Sequence, residues 1–575
     1  MKKYIVVLLF SFLGFSQTNF YVKKAGGLDT NPGTFALPWK TIQKAANTAN
    51  AGSIVNIFGD TYNELVTLNV SGTTTNPIIF KNYQNDIVVI SGAGFTGSFN
   101  GLIVINSKSN IIIDGLILEN LYGNFARGVL VFSNPNNGIE NITLRNLKIR
   151  NIGYTTNPVA IPTPSENAHG IIVYGTGTST TDAIRNVTIE NCEVYNNING
   201  FSENITVTGN VDGFKILNNS VHNNTNIGID ASGNFNASAT PSLDHARNGL
   251  ISGNTAYEDT SLYSVNSGIY CDGCWSTIIE KNRAYNNQVG ITVGCEENGT
   301  ADNVIVRNNL VYNNTFSGIA IGGYNPATTG IVTNTKVLNN TCFNNDNSNT
   351  RGHFYISKTS NCEFSQNTCS RTGSVLFYAD NINPQTFSMN YNNYFTNGNA
   401  TPQVNYRANT INFSSFKTAT GNDANSILTD PLFVNNTTLP YDFRLQSTSS
   451  AINAGNPSFI PDANETDFYG NPRVANSIVD IGASEKQLPL SIEEKNSSRF
   501  KIYPNPTKNK FEIQFEANEN KEFKIQIFDL LGKQVLVNTV FSNQIIDVST
   551  LEIGIYLIRI QNENKIETQK LIIHN

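Results

Sequence analysis

The chain has 575 residues, 39% hydrophobic and only 14% charged, with 44 Gly, 19 Pro and a net charge of −6. So few charges exclude a long solvated helix or coiled coil, and no Lys/Arg-rich run points to a nucleic-acid partner. The 7 cysteines are too few for a disulfide scaffold, and their odd number leaves at least one unpaired.

Residues 1–16 carry two lysines and then an apolar stretch from Ile5 to Phe15, which predicts a secretory signal peptide cleaved before Gln17. No later stretch approaches the ~20 continuous apolar residues of a transmembrane helix. The mature chain is therefore expected to be extracellular and without a transmembrane segment. Thr41–Ala49, apolar at Ile42, Ala45, Ala46 and Ala49, is the one predicted helix. It is placed to cap the open end of the fold that follows.

The middle of the chain repeats. "NVTIENCEVYNN" (186–197), "GFKILNNSVHNN" (213–224), "NVIVRNNLVYNN" (303–314) and "NTKVLNNTCFNN" (334–345) share a short alternating strand, an Asn corner, an aromatic-type position and paired Asn. The apolar residue before the aromatic-type position gives the series Leu118, Ile149, Val194, Val221, Ala256, Ala284, Val311, Cys342, Cys369 and Tyr394. A recurring spacing of about 27 residues with short strands and no helices means a solenoid, each coil stacking ~4.8 Å on the last. An all-β fold, a right-handed parallel β-helix, is predicted over 17–427 with its N-terminal cap. Paired Asn at the corners are expected to hydrogen-bond to the backbone of adjacent coils. Two longer gaps place insertions near 153–168 and 233–247, and a solenoid collects its insertions on one face, commonly the binding face.

A second strand follows each Asn corner: "HGIIVYG", "IGIDASG", "SGIYCDG", "VGITVGC" and "SGIAIGG". Aligned on Gly-Ile, Ile171, Ile229, Ile269, Ile291 and Ile319 point inward. The next residues, Ile172, Asp230, Tyr270, Thr292 and Ala320, then point outward. Asp230, Tyr270 and Asp272 thus fall on adjacent coils of one external sheet. Glu296, Glu297 and Tyr324 lie beyond, with His169 at one side and Asp244, His245 and Arg247 at the other. This is the predicted active-site groove. Cys271-x-x-Cys274 is read as packed thiol, because Cys271 falls at an inward position. Cys342 and Cys369 share an inward position on adjacent coils, as stacked thiols or a bridge.

Three stretches resemble known families. Asn31-Pro32-Gly33-Thr34, Pro38-Trp39, Thr41-Ile42-Gln43 and then Gly59, Tyr62 and Glu64 resemble the start of family 9 polysaccharide (pectate) lyases. Within 428–490, "DPLFVN", "DFRLQSTSSAINAGN" and "DFYGNPRVANSIVDIGASE" resemble the terminal module of such secreted proteins. The resemblance implies a pectin-lyase-type β-helix, a polysaccharide substrate, and calcium held by an Asn-Asn-Ser-Asp-Asp-Gly-x-Asp run with a Lys on a later coil. Here the run reads Asn223-Asn224-Thr225-Asn226-Ile227-Gly228-Ile229-Asp230, so Asp230 is the one family metal ligand kept, and His169 replaces an earlier acid. Over 499–575, "YPNPTKNKFEIQF", "IFDLLGKQV" and "DVSTLEIGIYLIRI" resemble the type A C-terminal sorting domain of the Bacteroidetes type IX secretion system. This implies a small β-sandwich, the type IX machinery as partner, and export of a chain expected to be a monomer.

Two chemistries and one binding role remain. In β-elimination on a uronate-containing glycan, the first reading, Tyr270 or His245 is the base and Arg247 neutralises the carboxylate. In hydrolysis, Asp230 and Asp272 share the work as in inverting glycosidases. A non-catalytic, glycan-binding adhesin would be exported in the same way. His169, Asp244, Glu296, Glu297 and Tyr324 are the expected substrate contacts.

Overall fold

The computed structural model describes residues 17–322, 328–398, 400–487, 500–515, 522–541, 544–562 and 565–574. The predicted leader, Tyr324 and the stretch 488–499 lie outside these residues. The chain divides into one compact unit ending at Gln487 and a second from Leu488.

The first unit is the right-handed parallel β-helix. The chain visits three sheets in turn, from Ser53–Ile57 through Asp60–Tyr62 to Val66–Leu68, and each later coil repeats the order. Every member of the Leu118-to-Tyr394 series is directly paired with the next in a single sheet. On the sheet carrying the groove, Ile171, Ile205, Ile229, Ile269, Ile291 and Ile319 stack in register. All six are fully buried. Side chains alternate across a strand, so this inward stack sends the next residue of each coil to the outer face.

The doubled asparagines make the corners. The first of each pair takes a left-handed conformation, as at Asn218, Asn223, Asn308 and Asn313 with φ of 54–55°, a geometry Asn tolerates better than most residues. The second turns inward and joins a ladder. Asn309 donates its amide to the Ile279 carbonyl at 2.9 Å, while its Oδ1 accepts the backbone N–H of Asn282 at 2.9 Å. The same exchange runs through Asn219, Asn254, Asn282, Asn309, Asn340, Asn367 and Asn392. A second ladder runs through Asn197, Asn224, Asp259, Asn287, Asn314 and Asn345. Coils are therefore tied at two corners as well as along their sheets.

The predicted cap helix forms as Ile42–Thr48, with the Thr41 hydroxyl accepting the Lys44 N–H, and buries Ile42, Ala45 and Ala46 in the core. A second helix, Phe413–Thr420, was not predicted; its Phe413 and Phe416 complete the core beside Tyr394 and Phe377. Residues 428–487 belong to the same compact unit, and Phe433, Phe443 and Leu445 pack on Leu310 and Tyr312. Tyr312 ends an external stack of Tyr195, His222, Tyr257 and Tyr285. Cys342 and Cys369 lie on adjacent coils as free thiols. Cys271 is inward as expected, but it is bonded to Cys274 rather than free. The Asp272-Gly273 turn, with Gly273 at φ +77°, brings their Cα atoms to 5.4 Å.

The second unit is a pair of antiparallel sheets. One holds Phe500–Tyr503, Lys510–Phe515 and Ile545–Asp547, the other Glu522–Phe528, Gln534–Phe541, Gly554–Asn562 and Lys565–Ile573. Phe511, Ile525, Ile558 and Leu571 lie in its shared core.

Asp259 breaks the second ladder. Its Oδ1 accepts from Asn224, but Oδ2 stands where neighbouring asparagines donate an amide, and it has no hydrogen-bond partner. Burial pushes its carboxyl up to about 7, against about 3.9 in an unfolded chain. The folded state holds the proton more tightly, so this group's stabilising contribution is full below about pH 4 and is lost as pH rises through about 7. Asp259→Asn is expected to raise Tm, with a larger gain at pH 8 than at pH 4 in thermal melts. Asn309→Asp should create the same defect and destabilise by about 1–3 kcal/mol. Equal melting of Asp259→Asn and wild type at both pH values would contradict the ladder account.

Candidate active site

Five coils build the outer face of the groove sheet at its centre. Ile172, Thr206, Asp230, Tyr270 and Thr292 stand side by side in register. Asp272 lies one coil from Asp230 and two residues along, opposite Gly294 on its other side. Strand spacing and rise then put the two aspartate backbones about 8 Å apart. Glu203 enters from the loop before Ile205–Gly209, its Oε2 accepting from the Thr206 hydroxyl at 2.9 Å. Glu296 sits at the rim beyond Gly294, and its backbone N–H donates to Asp272 Oδ1 at 2.6 Å.

Crowding governs the electrostatics. Asp230 is 3% exposed and Asp272 4%. Burial first, then neighbouring carboxylates, pushes both carboxyls well up: Glu203 and Asp272 act on Asp230, while Glu296 and Glu203 act on Asp272. The two differ in one respect. Asp272 receives a backbone N–H and Asp230 a hydrogen bond from Ser232, each favouring the charged form, but Asp230 Oδ1 is left buried without a partner. Burial raises Glu203 to about 7. Desolvation also raises Glu296, opposed by a hydrogen bond from Tyr270. The Tyr270 phenol is pushed well up by burial and by Asp272, Glu296 and Asp230, so it stays protonated.

The flanking residues divide. His169 joins the cluster: its Nδ1 lies 3.1 Å from Thr206 Oγ1 and 3.2 Å from the Glu203 carbonyl, and burial lowers its pKa to about 3. Glu297 is exposed at the periphery, where its charge adds to the pressure on Asp272. Asp244 instead fastens its own loop, accepting the backbone N–H groups of Asn236 and Ser238 at 2.7 and 3.0 Å. His245 stacks on Trp275 at 3.8 Å and donates from Nδ1 to the Gly273 carbonyl; burial lowers its pKa. Arg247 lies on the neighbouring sheet, because Ala246–Arg247 pairs with Val211 and Asp212. There it is bound to Asp212 at 3.2 Å and Asn210 at 3.0 Å. It is not on the groove face.

Sequence reasoning missed Glu203 and Thr206, because the coil "ENITVTG" has no Gly-Ile pair to mark it. Its alternation between Val194 and Val221 was the available signal. Calcium, which the sequence resemblance implied, takes six to eight oxygens. Among the described residues no three Asp, Glu, His or Cys side chains converge as a ligand set.

The chain is 33% identical over 440 residues to "Uncharacterized protein YwoF" of Bacillus subtilis (strain 168), covering 74% of this chain and 90% of that protein. Residues 501–574 match the secretion system C-terminal sorting domain, which places the chain outside the cell or on its surface by type IX export. No helix among the described residues is long and apolar enough to cross a membrane. Solved structures with a similar course include pectate lyase Pel9A (16% identity, TM-score 0.44, covering 82% of this chain and 98% of that one). A GH136 lacto-N-biosidase from Eubacterium ramulus is similar at 14% identity and TM-score 0.46, covering 72% and 67%.

Glu203 offers a direct check on the crowding. Its carboxyl is raised, so its contribution to stability is lost as pH climbs from about 4 to about 7. Glu203→Gln keeps an acceptor for Thr206 and removes the charge. Denaturant titration at pH 8 is expected to show a gain on the order of 1 kcal/mol, shrinking towards pH 4. A loss of stability equal at every pH would contradict it.

Proposed function

We propose that this chain, which belongs to the family of the Bacillus subtilis protein YwoF, is an exported glycan-cleaving enzyme that hydrolyses a glycosidic bond between Asp230 and Asp272. The observation that carries the reading is that pair: two buried carboxyls on one outer face, about 8 Å apart by strand geometry, in unlike environments. Inverting glycosidases hold their carboxyls ~6.5–9.5 Å apart to admit a water.

The roles follow from the environments. Asp230, unpartnered at Oδ1 and raised by burial, holds its proton and gives it to the leaving oxygen as general acid. Asp272, whose ionised form the Glu296 N–H supports, takes a proton from the attacking water. Tyr270 stands between them as a neutral hydroxyl, bonded to Glu296, and orients the sugar. Glu203 and Glu296 set carboxyl oxygens beside the pair, whose lone pairs favour the positive charge of an oxocarbenium-like transition state.

Elimination is less well supported by the same face. Its base would be a phenol held protonated or a histidine that is 3% exposed and stacked on Trp275. Its neutralising Arg247 is bound to Asp212 on another sheet. No step is routed through calcium.

The test is the product. Wild type, incubated with polygalacturonate, alginate, rhamnogalacturonan and xylan, is expected to release reducing ends with inverted anomeric configuration and no ultraviolet-absorbing unsaturated ends, with or without chelator. Asp230→Asn and Asp272→Asn should each lower kcat about 10²–10⁴-fold. Unsaturated products, full activity in both variants, or binding without cleavage would each overturn the hydrolytic reading.

A further inference from the structure

The ladder that carries Asp230 and Tyr270 continues past them. From Tyr270 the register runs through Thr292 and Ala320 to Tyr355 and Tyr378. Three strand spacings separate Tyr270 from Tyr355, about 14 Å. The outer face between them is low, with Thr292 and Ala320 flanked by Gly294. A pyranose chain advances by roughly one coil spacing per sugar, so a glycan lying on this sheet would cross small residues and arrive at the two tyrosines.

What it meets there is a built shelf. The rings of Tyr355 and Tyr378 lie 5.5 Å apart and 34° from parallel. Both hydroxyls donate to Asp380, at 3.0 and 3.2 Å, which fixes their orientation. Beside them the Arg351 guanidinium lies 3.3 Å over the Phe316 ring and 5.6 Å from the Tyr355 ring. Its Nε is buried with no hydrogen-bond partner, and among the described residues no carboxylate forms an ion pair with it. The nearby acids are otherwise engaged: Asp346 binds Arg371 and the backbone N–H of Arg351 itself, and Asp380 binds the tyrosines. A cavity of ≈ 340 Å³ opens on this shelf, lined by Arg351, Tyr378, Asn405, Asn409 and Thr410 among others. That is large enough for a sugar ring.

We infer that Phe316, Arg351, Tyr355 and Tyr378 form a distal subsite for a uronate-bearing sugar of the chain cleaved at Asp230 and Asp272. The inference rests on the reading of that pair as the reaction centre. Aromatic faces accept the apolar face of a pyranose, and an unpaired planar guanidinium with donors to spare matches a carboxylate. The reaction centre itself is ringed by acids, so the recognition of acidic sugars falls to a site several units away. This makes the enzyme depend on chain length.

The experiment compares oligogalacturonides and oligoalginates, from disaccharide to octasaccharide, on the full chain. For wild type, kcat/KM is expected to rise steeply once the oligosaccharide spans both sites. Tyr378→Ala and Arg351→Gln should each lower the ratio of kcat/KM for octasaccharide to that for trisaccharide about tenfold, through KM rather than kcat. Arg351→Lys, which keeps charge without the planar fork, should recover part of it. A merely structural role would scale all lengths alike and leave the ratio unchanged, which overturns the inference while the Asp pair stands. Cleavage of neutral glycans only would overturn it in the same way. No cleavage of any glycan by wild type would remove the hydrolytic reading, and the subsite with it.

Discussion

An asparagine amide turned inward at a coil corner is the interaction on which the rest of this protein depends. A parallel β-helix has no local turn that closes its strand pairs, so each corner must satisfy backbone groups that no sheet reaches. Asn does this in both directions at once: Asn309 gives an amide N–H to the Ile279 carbonyl and accepts the Asn282 N–H with Oδ1, both on the preceding coil, and gives its NH₂ also to Asn340 Oδ1 on the next. Its partner in each pair makes the left-handed bend. The Asn-rich composition is thus a repeated solution to one accounting problem, and Asp259 shows the cost of a single lost donor.

A frame tied in this way can tolerate a face that opposes folding. Glu203, Asp230, Asp272 and Glu296 repel one another and resist ionisation, and no cation among the described residues balances them at hydrogen-bond distance. Such crowding is destabilising in itself and persists where the surrounding structure over-determines it. Here the isoleucine stack beneath and the Asn ladder at the corner leading into the sheet supply that support. The two central carboxyls end up in unlike settings: Asp230 Oδ1 is left without a partner, while Asp272 Oδ1 accepts a backbone N–H.

The period was legible because it is written in every coil, and each residue of the Leu118-to-Tyr394 series pairs as its spacing implies. The outward order of Asp230, Tyr270 and Asp272 was legible for the same reason, since a period of two leaves little freedom once Gly-Ile fixes the inward residue. Glu203 was hidden because its coil keeps the alternation but lacks the glycine. Arg247 was misplaced for a different reason. It follows an insertion, and spacing alone cannot say at which sheet the chain re-enters; Ala246 returns beside Val211. The Cys271–Cys274 bond depends on a turn at Gly273 that the strand pattern does not announce. The Phe413–Thr420 helix has too short an apolar pattern to stand out from the strands around it.

Chemistry on the outer face of the groove sheet would be visible in the crystal structure of Asp272→Asn bound to an acidic octasaccharide. The expected result is a sugar chain lying across the coils, with one glycosidic oxygen beside Asp230 and density continuing over Thr292 and Ala320 towards Tyr355. A glycan seated on either of the other two sheets, or bound with Asp230 facing no linkage, would contradict it.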